Sequence, residues 1–182
     1  MERLIEQYNS KIKPALKKEL GYKSDFELPR IEKIVISSGI GDFKDDKNAV
    51  AKINTELARI TGQKPKLNLS RKAVSAFKLR IGQPVGLTTT LRGSRMYDFL
   101  NRFVNVALPR VRDFRGLSNT SFDEAGNYSI GLRDYSIFPE IKFEEATTIF
   151  GLEINIKIKS KSPEDSKKLL IHLGFPFKKE GK

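Results

Sequence analysis

The sequence predicts an α+β fold, in which an antiparallel sheet carries helices on one face and leaves the other face open. Helical and strand signals follow one another as helix, strand, helix, strands, helix, strands, helix, which is typical of helices collected on one side of a sheet. Residues 152–158 alternate strictly between apolar and polar side chains, as in a half-buried strand. With no internal repeat and no dividing linker, the 182 residues are expected to form a single domain spanning 1–182.

Four segments place apolar side chains at the three- and four-residue spacing of an amphipathic helix. They cover residues 1–20, 45–60, 94–107 and 162–173. Pro14 lies inside the first segment and should kink or split that helix. Ser94 and Ser162 are the predicted caps of the third and fourth helices. Pro109 should end the third helix.

Five segments are rich in β-branched or alternating apolar residues and are predicted strands. They cover residues 31–36, 65–69, 87–91, 128–132 and 152–158. Gly39 and Gly41 follow the first strand, but the third glycine of a dinucleotide-binding loop is missing. We therefore interpret this glycine pair as a bulge or tight turn.

The charge balance points to a polyanionic partner. Thirty-four Lys and Arg residues face 22 acidic residues, giving a net charge of +12 and a pI near 9.8. This puts nucleic acid first among possible partners and an anionic membrane surface second. No run of about 20 apolar residues is present, so no membrane span is expected. The chain has no cysteine, which fits a reducing cytoplasm.

Residues 57–97 form a segment of one charge sign. It contains nine basic residues and no acidic ones, and such a segment repels itself unless a negative ligand lies against it. Within it, residues 70–82 carry weak structural signals and are predicted to form a long projecting loop, hereafter the basic loop. The alternative is an ordinary solvated loop without a ligand. If the basic loop does bind a ligand, its candidate contact residues are Arg71, Lys72, Phe77, Lys78 and Arg80.

A second basic cluster follows the third predicted helix. It consists of Arg110, Arg112 and Arg115, interleaved with Asp113. These arginines form either a second RNA-contacting cluster or a helix-end cluster partly paired with Asp113. The sequence leaves both interpretations open.

The residues give no reason to expect catalysis. His172 is the only histidine and lies in an apolar helix, where a surface or interfacial role is expected. A pair drawn from Glu140, Glu144 and Glu145 is conceivable for acid–base work, but a solvated acidic face is the simpler interpretation. Zinc spacings, a nucleophile elbow and a phosphate-binding loop are all missing from the sequence, so we expect no metal and no cofactor.

Several motifs along the chain carry a resemblance to a known family. They are GQKP (62–65), SRKAV (70–74), FKLR (77–80), TLRG (90–93), LPRVRDFRG (108–116), GNY (126–128), IFPEI (137–141) and GFPF (174–177). In these motifs the chain resembles the family of bacterial large-subunit ribosomal protein five, which binds 5S rRNA. The resemblance covers essentially the whole chain in order and implies a ferredoxin-like or RRM-like sandwich with a long basic loop. It also implies a structural constituent of the large ribosomal subunit in the cytoplasm.

The resemblance also implies specific partners. The protein would attach 5S rRNA in the central protuberance, beside 23S rRNA and neighbouring ribosomal proteins of that region. The basic loop would contact the P-site tRNA. Arg110, Arg112 and Arg115 would belong to a bridge to small-subunit ribosomal protein thirteen. The implied 5S rRNA contacts are Ser37, Gln63, Lys64, Thr90 and Arg92.

Two positions depart from the family pattern. Ser37 stands where the family usually has Asn, so a hydroxyl replaces the longer amide. Glu124-Ala125 stands where the family usually has Gly-Arg, which exchanges a positive charge for a negative one. Two other functions remain as alternatives: a free-standing RNA-binding or RNA-chaperone module, and an enzyme acting on an acidic substrate.

Overall fold

The predicted α+β fold is confirmed by the computed structural model, which describes residues 4–141 and 150–178. Five strands form one antiparallel sheet in the order β2-β3-β1-β5-β4. β2 is therefore an edge strand and pairs with β3 from Lys66 opposite Thr88, with an irregularity between Asn68 and Leu69. The strands are β1 (Arg30–Gly39), β2 (Lys66–Leu69), β3 (Pro84–Leu91), β4 (Tyr128–Leu132) and β5 (Leu152–Lys159).

Among the described residues, five α-helices accompany the sheet, and the first two of them share the first of the four predicted helical segments. They are α1 (Leu4–Gln7), α2 (Lys13–Leu20), α3 (Lys47–Thr61), α4 (Gly93–Arg102) and α5 (Pro163–His172). A π-helical turn, Tyr8–Ile12, joins α1 to α2, and a second, Phe103–Ala107, continues α4. Short 3₁₀ turns cover Gly41–Phe43, Ser75–Phe77, Leu108–Arg110 and Tyr135–Ile137.

Pro14 interrupts the first helix, as predicted. A proline cannot donate to the carbonyl four residues earlier, and its ring crowds that carbonyl. The widened π turn ends at Ile12 and leaves Pro14 in the first turn of α2, where no such hydrogen bond is required. Gly21 ends α2 in the left-handed conformation, at φ 69°.

The prediction that Ser94 caps the third helix is wrong. α4 already begins at Gly93, whose φ of 59° turns the chain directly from β3 into the helix. Arg92 occupies the cap position without a side-chain hydrogen bond, so Ser94 lies inside the first turn. The helical path also continues to Arg110, because Pro109 enters a 3₁₀ turn near its start.

The chain divides into two compact units, each built from separated segments. The first unit comprises Met1–Ile34, Arg92–Ile130 and Asn155–Lys182. The second unit comprises Val35–Leu91 and Gly131–Ile154. Phe99 and Phe103 stack at 5.9 Å in the core of the first unit. Ile53 and Leu57 of α3 are fully buried in the second.

The segment after α5 packs on the core of the first unit. Phe175 is buried and its ring lies 6.3 Å from that of Phe103. Phe177 contacts the ring of Tyr128 edge-on at 5.5 Å. Within the described residues, we find no helix with the length and apolar character needed to cross a bilayer.

Candidate nucleic-acid interface

Polar side chains line the face of β1 and β3 that is turned away from the buried one. In β3, Leu87, Thr89 and Leu91 are buried, whereas Thr88 and Thr90 between them are partly exposed. In β1, Ser38 is buried and Ser37 is partly exposed. Because side chains alternate along a strand, this leaves a polar, accessible surface on the sheet of the second unit.

Gln63 is brought against this surface by the end of α3. Gly62 takes the left-handed conformation at φ 68° and stops the helix, so the chain turns toward the sheet. The backbone N–H of Gln63 donates to Thr61 Oγ1 at 3.3 Å. Its side-chain Nε2 donates to the carbonyl oxygen of Thr90 at 3.3 Å. Two residues separated by 27 positions, both expected to contact RNA, are therefore neighbours.

Ser37 has an acidic neighbour that the sequence did not single out. Its hydroxyl donates to Glu153 Oε2 on β5 at 3.4 Å. Glu153 is exposed, and no ion pair within the described chain neutralises it. A carboxylate at this place repels phosphate but can accept hydrogen bonds from the amino groups of exposed bases.

Asn68 and Thr88 extend the polar surface toward the sheet edge. Asn68 Nδ2 donates to Thr88 Oγ1 at 2.6 Å across the β2–β3 pair. Sequence reasoning missed both residues, although the alternation in residues 87–91 places Thr88 on the same face as Thr90. Lys64 is exposed close to Gln63 in the chain, and Arg92, in the first unit, is exposed directly after β3.

The basic loop is exposed as predicted, but it is more ordered than its sequence suggests. At its base, Ser70 N–H donates to Gln83 O at 2.8 Å, and Gly82 N–H donates to Ser70 O at 2.9 Å. At its tip, Val74 and Leu79 exchange hydrogen bonds of 2.9 and 3.0 Å around a 3₁₀ turn. The loop is thus closed at two levels.

This backbone presents cations and an aromatic ring to solvent. Phe77 is 73% exposed, which is unusual for a phenylalanine in a folded segment. No ion pair with a described residue neutralises any of the loop's four cations, which are Arg71, Lys72, Lys78 and Arg80. The exposed side chains predicted to contact a ligand are Arg71, Lys72, Phe77, Lys78 and Arg80.

The arginine cluster lies in the first unit, at the end of the α4 helical path. Arg110, Arg112 and Arg115 are all exposed. Asp113 takes a left-handed conformation at φ 51°, and no ion pair joins it to these arginines in the part of the chain that the structure describes. The helix-end interpretation, which required partial pairing with Asp113, therefore finds no support in the contacts.

The loop that carries Glu124 is held by its own hydrogen bonds. Asn127 N–H donates to Asp123 Oδ1 at 2.7 Å, and Asn127 Nδ2 donates to Asp123 Oδ2 at 2.7 Å. These bonds, from the Asn127 side chain first, hold the pKa of Asp123 below its ordinary value. Glu124 is exposed at the turn, so its negative charge faces solvent.

Of the residues considered for catalysis, the structure describes His172 and Glu140. His172 is paired with Glu19, with 2.9 Å between Nε2 and Oε2, on the surface of the first unit. The hydrogen bond from His172 is the largest cause that lowers the pKa of Glu19. Glu144 and Glu145 fall outside the described residues. Among those described, no group of three or more acidic or histidine side chains could hold a metal ion.

Comparisons with known proteins agree with these features. A family model described as Ribosomal protein L5 matches residues 24–80, and a second model, for the C-terminus of that ribosomal protein family, matches residues 84–177. Large ribosomal subunit protein uL5 from Natranaerobius thermophilus is 46% identical over 97% of this chain and 99% of its own. The corresponding protein from Ruthia magnifica is 48% identical over 98% and 99%. That from Ralstonia pickettii is 47% identical over 97% and 98%.

An antiparallel α+β fold that exposes basic segments, without ion pairs in the basic loop among the described residues, is typical of a protein that binds RNA, and the matches specify which one. The chain belongs to the uL5 family of ribosomal proteins. It is a structural constituent of the large ribosomal subunit in the cytoplasm, and it is not an enzyme.

Proposed function

We propose that this chain binds 5S rRNA through the polar sheet surface of its second unit and helps to attach that RNA, beside 23S rRNA, in the central protuberance. The observation that carries this proposal is the contact between Gln63 and Thr90, which gathers distant polar residues beside a segment without acidic groups. On this surface Lys64 would supply a phosphate contact, which positions the RNA, and Ser37 would supply a hydroxyl. Arg92, which belongs to the first unit, would supply a phosphate contact of its own.

Ser37 makes the serine-for-asparagine departure tolerable in physical terms. Its hydroxyl can both donate and accept a hydrogen bond, and Glu153 Oε2 already accepts the one that Ser37 Oγ donates, at 3.4 Å. The lone pairs of the oxygen then remain for an RNA donor such as a ribose 2′-hydroxyl. Glu124, by contrast, offers no attraction to phosphate, so the 123–127 turn is left out of the proposed RNA surface.

The basic loop would contact the P-site tRNA. Its closed backbone holds four cations and the Phe77 ring on one exposed excursion. Cations neutralise phosphates, and an exposed aromatic ring offers a surface on which a base or ribose can pack. Arg110, Arg112 and Arg115 would form part of the bridge to small-subunit ribosomal protein thirteen, because they are exposed and unpaired with Asp113.

The first test is the affinity of Gln63→Ala for a 5S rRNA transcript, measured by filter binding. We expect it to bind about fivefold more weakly, since roughly 1 kcal/mol is typical for an unpaired polar partner. Asn48→Ala is a matched control, because it removes an exposed amide from the first turn of α3. Equal affinities for both variants would remove Gln63 from the proposed surface.

A second test separates 5S rRNA binding from tRNA contact. Neutralising the four cations of the basic loop by glutamine should leave the 5S affinity within about twofold and reduce tRNA retention on reconstituted subunits. Loss of 5S rRNA binding would show that the basic loop is wrongly assigned to tRNA contact. If the unchanged protein bound generic duplex as tightly as 5S rRNA, a free-standing RNA-binding module would be favoured instead. The control variant neutralises four exposed lysines elsewhere: Lys18, Lys23, Lys47 and Lys178.

A further inference from the structure

The glycine-containing turn after β1 forms a fixed platform in the second unit. Ile40 N–H donates to Val85 O of β3 at 3.2 Å, which ties the turn to the sheet. Phe43 N–H donates to Ile40 O at 2.9 Å, and Asp46 N–H donates to Phe43 O at 3.0 Å. Asp46 then caps α3 by accepting from the backbone N–H of Asn48 at 2.9 Å. The backbone of residue 44 is therefore held from both sides.

From this platform, Lys44 reaches the tip of the basic loop. Its Nζ donates to the carbonyl oxygen of Phe77 at 2.8 Å and to that of Lys78 at 3.0 Å. These are the only side-chain hydrogen bonds to the loop tip from outside the loop among the described residues. Lys44 as a whole is partly buried, whereas both of these hydrogen bonds lie at an exposed position.

The two carbonyls are places where a cation is favourable despite the positive loop. Phe77 is the last residue of the 3₁₀ turn Ser75–Phe77 and Lys78 follows it, and carbonyls at the end of a helical turn lack a donor within that turn. Lys78 has a left-handed backbone, at φ 49°, which costs energy for a residue with a side chain. A hydrogen bond from a charged donor is stronger than one between neutral groups and can offset that strain.

We propose that Lys44 is a positioning residue that fixes the tip of the basic loop, so that Phe77 and Lys78 are presented in one arrangement. A loop ordered before binding loses less conformational entropy when it meets its ligand. This inference rests on the proposed contact between the basic loop and tRNA, and it assigns Lys44 no direct contact with RNA.

The two hydrogen bonds from Lys44 to the loop tip, hereafter the latch, are tested by hydrogen exchange of the isolated protein, followed by NMR. Lys44→Met removes the ammonium and keeps the apolar stem. Exchange at the amides of Lys78 and Leu79, which are bonded within the tip, should become about tenfold faster. Lys47→Met is the matched control, because it removes an exposed lysine from the start of α3 and should leave these amides unchanged. Unchanged exchange in Lys44→Met overturns the proposal.

The role in tRNA contact is tested on reconstituted ribosomes. Lys44→Met should reduce P-site tRNA retention several-fold at unchanged 5S affinity, and Lys44→Arg, which keeps a donor, should restore most of it. If retention is normal in Lys44→Met but lost when the loop cations are neutralised, the latch does not position the contact and the proposal is wrong. If both variants retain tRNA, the proposed tRNA contact fails, and the exchange data still report separately whether the latch exists.

Discussion

Gly116→Ala should destabilise the protein more than its backbone conformation alone explains. Gly116 has φ 94°, outside the region that residues with a side chain prefer. A Cβ at this position would lie 2.8 Å from Lys178 N and 3.0 Å from Phe177 C. These are backbone atoms, held by hydrogen bonds from Leu117 N–H to Pro176 O at 2.8 Å and from Lys178 N–H to Leu117 O at 2.9 Å.

The magnitude has two parts. Placing a residue with a side chain in the left-handed region costs about 1–2 kcal/mol. Relieving the clash requires the C-terminal segment to move, which weakens the two hydrogen bonds at about 1 kcal/mol each. The sum is about 3–4 kcal/mol, or a fall in Tm of roughly 6–16 °C for a chain of this size.

Gly21→Ala is the matched control for the backbone part. Gly21 has a similarly positive φ of 69°, but a Cβ there would meet nothing within 4 Å. We therefore expect it to cost only about 1–2 kcal/mol. Urea unfolding of both variants, followed by circular dichroism, measures the difference. Equal losses of unfolding free energy would refute the close approach between Gly116 and the C-terminal segment.

Three further perturbations probe caps, pH and specificity. Ser162→Ala removes the oxygen that accepts from Asp165 N–H at 3.2 Å and should lower the unfolding free energy by about 1 kcal/mol in urea titrations. Ser94→Ala removes no cap and should lower it by less than about 0.5 kcal/mol. Equal losses of unfolding free energy would contradict the assigned helix starts. Hydrogen bonds from Lys17 and Lys13 of α2 hold the pKa of Asp25 below its ordinary 3.8, so the stabilisation they give is present above that pH and is lost as the pH falls through the lowered pKa. Asp25→Asn should therefore make the unfolding free energy depend less on pH in the acid range. An unchanged acid dependence would argue against these interactions of Asp25 with the two lysines. Glu153→Gln removes a phosphate-repelling charge and should strengthen binding to generic duplex roughly threefold, lowering the preference for 5S rRNA in competition filter binding; an unchanged preference would deny Glu153 that role.

Much of the architecture could be predicted because its signals are local. α3 ends at Thr61, close to the end of the predicted segment 45–60, and Ser162 caps α5 as predicted, since a left-handed glycine and a cap each act through their own backbone or the next turn. Ser94 misled the prediction because a cap residue is defined by where the helix begins, and the positive φ of Gly93 moved that beginning. The π turn before Pro14 has no residue signature of its own.

The site was less predictable because it depends on pairings distant in sequence. Thr88 and Thr90 could be assigned to one face from alternation alone. The contact of Gln63 with Thr90 could not, since it depends on how the left-handed turn at Gly62 directs the chain. Lys44 carries no signal either, because its two acceptors are backbone carbonyls 33 and 34 positions away.

The order of the basic loop argues against an ordinary solvated surface. Fixing the backbone of each residue costs about 1–2 kcal/mol in conformational entropy. Like charges held close together add a repulsion that a freely moving loop could relieve. A surface that served only solubility would gain nothing from paired backbone at Val74 and Leu79 or from the Lys44 contacts. Fixed cations are useful where the partner is itself a fixed array of negative charge, and folded RNA is such an array.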